Sequence, residues 1–172
     1  KGVKELGKAA LVTPAEQARI KARLDLFVAT TPEAVREGGH AEALLRGIAA
    51  HHAGVLPAWK ELIEELFQQG LIKVVFATET LAAGINMPAR TVVLDRLDKF
   101  NGESRVQITP GEYTQLTGRA GRRGIDVEGH SVIQWAANLD PQVVAGLASK
   151  RTYPLMSSFR PTYNMAVNLI EA

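Results

Sequence analysis

The chain has 172 residues, 46% of them apolar and 22% charged, the balance of an ordinary globular domain able to bury a core of its own. Lysine and arginine total 20 against 18 acidic residues, a formal charge of +2, so bulk charge makes no case for nucleic acid, and any such case rests on local placement. The absence of cysteine excludes disulfides and thiolate metal sites, and no apolar run reaches the roughly 18 to 20 residues of a membrane span.

No signal-peptide pattern opens the sequence, so a cytoplasmic protein is the default expectation. The first residue is Lys1 and the stretch before Ala172 still reads as helix, which is the pattern of an excised fragment. Thr13-Pro14-Ala15-Glu16 reads as a capping box with proline at the first helical position, and a helix follows to about Ala29 with Ile20, Leu24 and Phe27 on one face. "TTPEAVREGGH" breaks that pattern, so residues 30 to 40 are expected to be an exposed connection. "LLRGIAAHHAG" passes from a short helix through a brief apolar segment into a glycine-ended loop.

"PAWKELIEELFQQG" has the clearest helical period. Trp59, Leu62, Ile63, Leu66 and Phe67 fall on the apolar face, Glu61, Glu64 and Glu65 fall on what reads as a solvated face, and Gly70 ends the helix. "KVVFA" (73–77) suits a strand buried on both faces, "TVVLD" (91–95) a second strand, and "HSVIQWA" (130–136) a third, after a turn at Asp126 to Gly129. Thr109 and Pro110 open a further helix, expected to run to about Ala120. This alternation implies a parallel α/β sheet covered by helices on both faces, with ligand loops at the carboxyl ends of its strands: after Ala77, after Asp95 and around Arg119. From Arg151 the chain reads as a linker and then a helix starting at Pro161, with Tyr163, Val167 and Ile170 on one face, suited to a following domain. The organisation expected is residues 1–45 as a variable helical start, 46–150 as the α/β domain and 151–172 as the linker.

Three loops carry residue types suited to chemistry. In "QLTGRAGRRG" (115–124), Arg119 and Arg122 are three residues apart, and on a helix end their guanidinium groups would share a face and could bracket one phosphate. Gly118 and Gly121 keep that face bare, Gly124 permits a sharp exit, and Gln115 lies one turn earlier. The plainer account is a frayed helix end with solvated arginines. "ATETLAAGINMPA" (77–89) offers the hydroxyls of Thr78 and Thr80 beside small residues, suited to phosphate oxygens, although Thr80 could equally cap the short helix that follows. "HHAG" (51–54) pairs two histidines before a glycine. His40 and His130 form no recognisable ligand set with them, so no metal site is expected, and each histidine reads first as a buried, hydrogen-bonded imidazole.

In this order, "HHAG", "FATETLAAGINMPA" and "YTQLTGRAGRRG" resemble the consecutive signatures of the second RecA-like domain of superfamily 2 helicases, most of all the superkiller-type DExH RNA helicases and their actinobacterial relatives. "LDRLDKFNG" and "FRPTYNMAVNLI" resemble the segments after motifs V and VI, so the likeness spans about residues 45 to 171. It implies a RecA-like fold. It also implies that Arg119 and Arg122 meet the γ-phosphate of ATP, with Arg122 the finger and Gln115 opening motif VI. By the same likeness Gly84 and Asn86 lie near the nucleotide ribose, Gly118 borders the nucleotide, Thr78 binds the phosphate backbone of single-stranded RNA or DNA, and His52 and Gly54 lie on the same side. Lys60 stands where many relatives have arginine, which keeps the cation and loses the fork.

The chain has neither a Walker A loop nor a D-E-x-H motif. The family carries both on its first RecA-like domain, which holds most of the ATP and Mg²⁺, and the motif IV strand of the second domain is also missing here. The resemblance therefore implies half of a split active site, inactive alone, whose partners are that first domain and a nucleic-acid strand. A DNA-repair helicase of the same superfamily and a non-catalytic nucleic-acid-binding module are the alternatives.

Overall fold

The computed structural model describes Val3, Leu6 and residues 9–31, 38–78, 87–100, 102–137 and 139–149. In chain order the elements are α1 (Pro14–Thr30), α2 (Gly38–Leu44), β1 (Ile48–His51), α3 (Pro57–Gln68), β2 (Val74–Ala77), β3 (Thr91–Leu94), β4 (Asp98–Phe100), β5 (Arg105–Gln107), α4 (Pro110–Thr117), β6 (His130–Ile133) and α5 (Pro141–Ser149). They divide into two units, Lys1–Arg96 with Gln115–Gln134, and Leu97–Thr114 with Trp135–Ala172.

In the first unit α1 starts where its capping box is. Thr13 Oγ1 accepts from the Glu16 N–H at 3.3 Å, and the Glu16 carboxylate accepts from the Thr13 N–H at 2.8 Å, which satisfies two of the donors that a helix start leaves unpaired. Ile20, Leu24 and Phe27 face inward against α3, whose Trp59, Leu62, Ile63 and Leu66 are all buried. Phe27 and Trp59 meet edge to face, with ring centroids 5.0 Å apart. Arg23 of α1 grips Glu65 of α3 through a fork of hydrogen bonds at 2.9, 3.1 and 2.7 Å, a half-exposed pair that sets the helix register more than it adds stability. Gly70, at φ 71°, ends α3 in the left-handed conformation that a side chain would resist.

β1 and β2 pair in parallel, from Ile48 opposite Val74 to His51 opposite Ala77, with α3 as the crossover. β3 and β6 form a second parallel pair, from Thr91 opposite His130 to Leu94 opposite Ile133. In the second unit β4 and β5 make an antiparallel hairpin that the sequence pattern did not announce. There Thr109 and Glu112 form a second capping box at the start of α4, and Glu112 also pairs with Lys99.

Several expectations change. β2 is not buried on both faces, since Val74 and Val75 are half-buried and Phe76 is exposed. Val93 of β3 and Trp135 beyond β6 are exposed too, at 62% and 68%. An apolar run states a capacity for burial, and among the described residues these strands pair two by two. β6 stops at Ile133, α4 stops at Thr117 instead of near Ala120, and α2 already begins at Gly38 within the expected connection. Glu64 and Glu65 do not sit on a merely solvated face. Glu65 holds Arg23, and Glu64 Oε1 lies 2.8 Å from Nε2 of the fully buried His51. The helix expected around Tyr163, Val167 and Ile170 lies outside the described residues.

Candidate functional site

The arginine loop is held by backbone, not by helix. After α4 ends at Thr117 the chain turns through Gly118 and runs beside Ala89: the Arg119 carbonyl accepts from the Ala89 N–H at 3.0 Å, and the Gly121 N–H donates to the Ala89 carbonyl at 2.7 Å. The result is a one-residue parallel bridge between Ala89 and Ala120. Gly121 has φ 88°, and a Cβ there would stand 3.2 Å from Gly129 Cα. At Gly129 an added Cβ would lie 2.4 Å from the Ala120 carbonyl carbon, so two backbone segments touch where no side chain fits. The small residue at Gly121 thus answers to close backbone packing, while Gly118 is exposed.

Arg119 and Arg122 consequently share no helical face, and the spacing argument from α-helix geometry does not hold for them. They flank the bridge at Ala120, because pairing with Ala89 competes successfully with another turn of helix. Nor does this loop lie at a strand's carboxyl end: Ala89 precedes β3 and Gly129 precedes β6, so it sits at their amino ends. Gln115 is exposed on the last turn of α4.

Arg122 is anchored by Asp126. Its Nε donates to Asp126 Oδ2 at 2.8 Å, its Nη2 donates to Oδ1 at 2.8 Å, and its own backbone N–H donates to Oδ2 at 2.9 Å. The bonds from Arg122 hold the Asp126 carboxyl far below the usual carboxylate range, with the Arg90 charge adding a little, and the same carboxylate raises the guanidinium pKa of Arg122. Sequence inspection missed Asp126, reading it only as the start of a turn. The signal that could have found it is an acid four residues after an arginine, in "RRGID".

At the other candidate loop the register decides. His51 stands opposite Ala77 across the β1–β2 ladder, so His52 and Thr78 leave the carboxyl ends of adjacent parallel strands side by side. Thr78 is exposed. The Gly54 N–H donates to His52 Nδ1 at 3.1 Å. His51 is the buried, hydrogen-bonded imidazole of the plainer account, bonded to Glu64 through Nε2 while its buried Nδ1 meets no partner among the described residues. Lys60 is half-buried on α3, and Gly84 and Asn86 lie outside the described residues.

Chemically, one loop offers a guanidinium on a fixed frame, and the other offers an imidazole and a hydroxyl at a strand edge, a set suited to oxyanions. Among the described residues no group of three or more His, Asp or Glu side chains gathers as a metal site.

The chain matches the model of the helicase conserved C-terminal domain over residues 17–124. It is 70% identical over 129 residues to the probable helicase HelY of Mycobacterium tuberculosis, covering 75% of this chain and 14% of that protein. It is 50% identical over 160 residues to the DExH-box ATP-dependent RNA helicase DExH15 of Arabidopsis thaliana, covering 93% of this chain and 14% of the relative, and 50% identical over 127 residues to the human exosome RNA helicase MTR4, covering 74% and 12%. The chain thus spans about a seventh of the length of the relatives it resembles. A match of this extent, on parallel strands linked by helices, shows that the chain belongs to the helicase conserved C-terminal domain family, the RecA-like second domain of superfamily 2 helicases.

Proposed function

We propose that this chain is the second motor domain of an ATP-dependent RNA helicase, contributing a cationic finger to nucleotide hydrolysis and backbone contacts to a single strand. The observation that carries this reading is the arginine loop. Arg122 has one edge of its guanidinium fixed by Asp126, on a segment stitched to Ala89 by two backbone hydrogen bonds. Bound ATP, with Mg²⁺ held mainly by a first RecA-like domain, supplies the γ-phosphoryl group whose transfer to water drives the cycle. Arg122, with Arg119 beside it, meets the charge on that group, and in a water-excluded cleft such a finger is worth roughly 10³ to 10⁵ in rate. Gln115 orients a phosphate oxygen or the attacking water, Gly118 keeps the approach open, and Gly84 and Asn86 lie toward the ribose.

Thr78, His52 and Gly54 grip the phosphate backbone, which sets strand polarity and spacing and not sequence. Their placement on adjacent strand ends supports one shared contact. RNA is favoured as substrate because the relatives DExH15 and MTR4 carry RNA helicase in their names.

The test is the ATPase of a full-length protein carrying this segment. Arg122→Ala is expected to cut kcat by about 10³ or more with nucleotide affinity little changed, whereas an equal loss in both would make Arg122 a binding residue. Stimulation by RNA and DNA single strands of equal length decides the substrate, and preference for DNA would turn the reading to a DNA-repair helicase. The chain by itself is expected to show no turnover. Activity of the pure chain that Arg122→Ala abolishes would contradict the split site.

A further inference from the structure

We propose that Asp126 is the positioning residue of the Arg122 finger: it fixes one edge of the guanidinium so that the other edge meets the γ-phosphate already oriented. The inference rests on the reading of Arg122 given above and adds to it a residue that the motif alone does not single out. The Asp126 side chain is 8% exposed and the Arg122 side chain 39%, so the carboxylate is the buried anchor and the guanidinium the reaching group. The carboxylate takes the side-on edge, Nε–H and one N–H of Nη2. A guanidinium has five N–H donors, so its end-on fork, one N–H of Nη1 beside one of Nη2, takes no part in this pair.

Both edges of a guanidinium present two parallel N–H groups, and a latch that closed it to phosphate would have to engage both. Here the carboxylate takes one edge. Its third bond, from the backbone N–H of Arg122, ties both ends of the side chain to one acceptor group, so the long stem has few rotamers left. The turn between the two residues is itself closed: the Arg122 carbonyl accepts from the N–H groups of Ile125 at 3.0 Å and Asp126 at 2.9 Å, and Gly124 takes φ 78°. One residue before Arg122, the Gly121 N–H bonds Ala89. The orientation of the fork is thus set by backbone on one side and by Asp126 on the other, before any ligand arrives. Catalytic groups gain most from such order, because a misplacement of about 1 Å can cost about 10²-fold in rate.

The experiment uses a full-length protein carrying this segment, with Arg122→Ala, Asp126→Asn, Asp126→Glu and the double variant Arg122→Ala/Asp126→Asn. Asp126→Asn keeps the shape and removes the charge. It is expected to lower RNA-stimulated kcat by about 10- to 100-fold with KM for ATP within about twofold, and Asp126→Glu to recover part of the loss. A readout other than turnover is the trapping of ADP by fluoroaluminate, a mimic of the transferring phosphoryl group: the concentration for half-trapping should rise by a similar factor while the affinity for ADP alone stays unchanged. The double variant should be no worse than Arg122→Ala, since Asp126 acts through that side chain.

An undiminished effect of Asp126→Asn in the Arg122→Ala background would overturn the proposal, showing that Asp126 acts through something else. So would a rise in kcat for Asp126→Asn, the mark of a latch, or no change in kcat and trapping beside a crippled Arg122→Ala. Full activity of Arg122→Ala would instead remove the finger itself, an outcome recognisable without any Asp126 variant.

Discussion

Single residues in this domain act through partners that only folding brings to them. Glu16 illustrates this. It sits in the capping box of α1 and, 57 residues away along the chain, accepts from Lys73 Nζ at 2.6 Å. Lys73 first and the Thr13 N–H next hold its carboxyl at about 2, below its ordinary 4.5. A carboxyl whose folded pKa is depressed adds stability that is fully present above the unfolded value and is lost as pH falls toward the folded one. Glu65 works in the same direction through Arg23. For Glu112 burial opposes ionisation, but Lys99 and Thr109 outweigh it. The denaturation midpoint of the chain should therefore hold steady from pH 7 to about 5 and fall between about 4.5 and 2. Glu16→Gln should lower the midpoint modestly at pH 7 and flatten that acid slope, as read by urea titrations at several pH values. An unchanged slope would mean that the Lys73 contact adds nothing, as many exposed pairs do.

At the scale of elements, local signals and non-local contacts part company. Thr13 with Glu16, Thr109 with Pro110, and the spacing of Trp59, Leu62, Ile63 and Leu66 were legible, since helix starts and apolar faces are written in neighbouring residues. The end of α4 was not. Gly118 weakens another turn without forbidding it, and the chain instead pairs Ala120 with Ala89, about thirty positions back. For the same reason His51 could not be matched to Glu64, nor Arg23 to Glu65, from sequence. Thr78, His52 and Gly54 were named by family likeness, and the adjacency of His52 to Thr78 became visible only through the β1–β2 register.

The pinch between Gly129 and Ala120 gives a direct test of how the finger loop is held. Gly129→Ala would drive a methyl to 2.4 Å from the Ala120 carbonyl carbon and 2.5 Å from the Gly121 nitrogen, where only backbone movement gives relief. It should cost about 1–3 kcal/mol in denaturation and displace the segment leading to Arg122, lowering ATPase in the full-length protein. Gly146→Ala on α5, where an added methyl meets nothing among the described residues within 4 Å, is the control and should be neutral or stabilising by about 0.5–1 kcal/mol. Equal behaviour of the two variants would show that the Ala120–Gly129 approach is not tight in solution.

For the whole molecule, two parallel strand pairs present two different chemistries, donors and a hydroxyl at the carboxyl ends of β1 and β2 and guanidinium at the amino ends of β3 and β6. On the proposed reading, the guanidinium of Arg122 completes one half of a nucleotide cleft that a second lobe closes when ATP is bound. The relatives are long enough to carry that lobe, since this chain covers 14% of HelY. The most direct measurement is the structure of a full-length protein carrying this segment, bound to ADP–fluoroaluminate and a single RNA strand. The account predicts the end-on fork of Arg122 at hydrogen-bond distance from the fluoroaluminate, Asp126 still on its opposite edge, and Thr78 and His52 against the strand's phosphates. Arg122 turned to solvent with the fluoroaluminate held by other residues would contradict it.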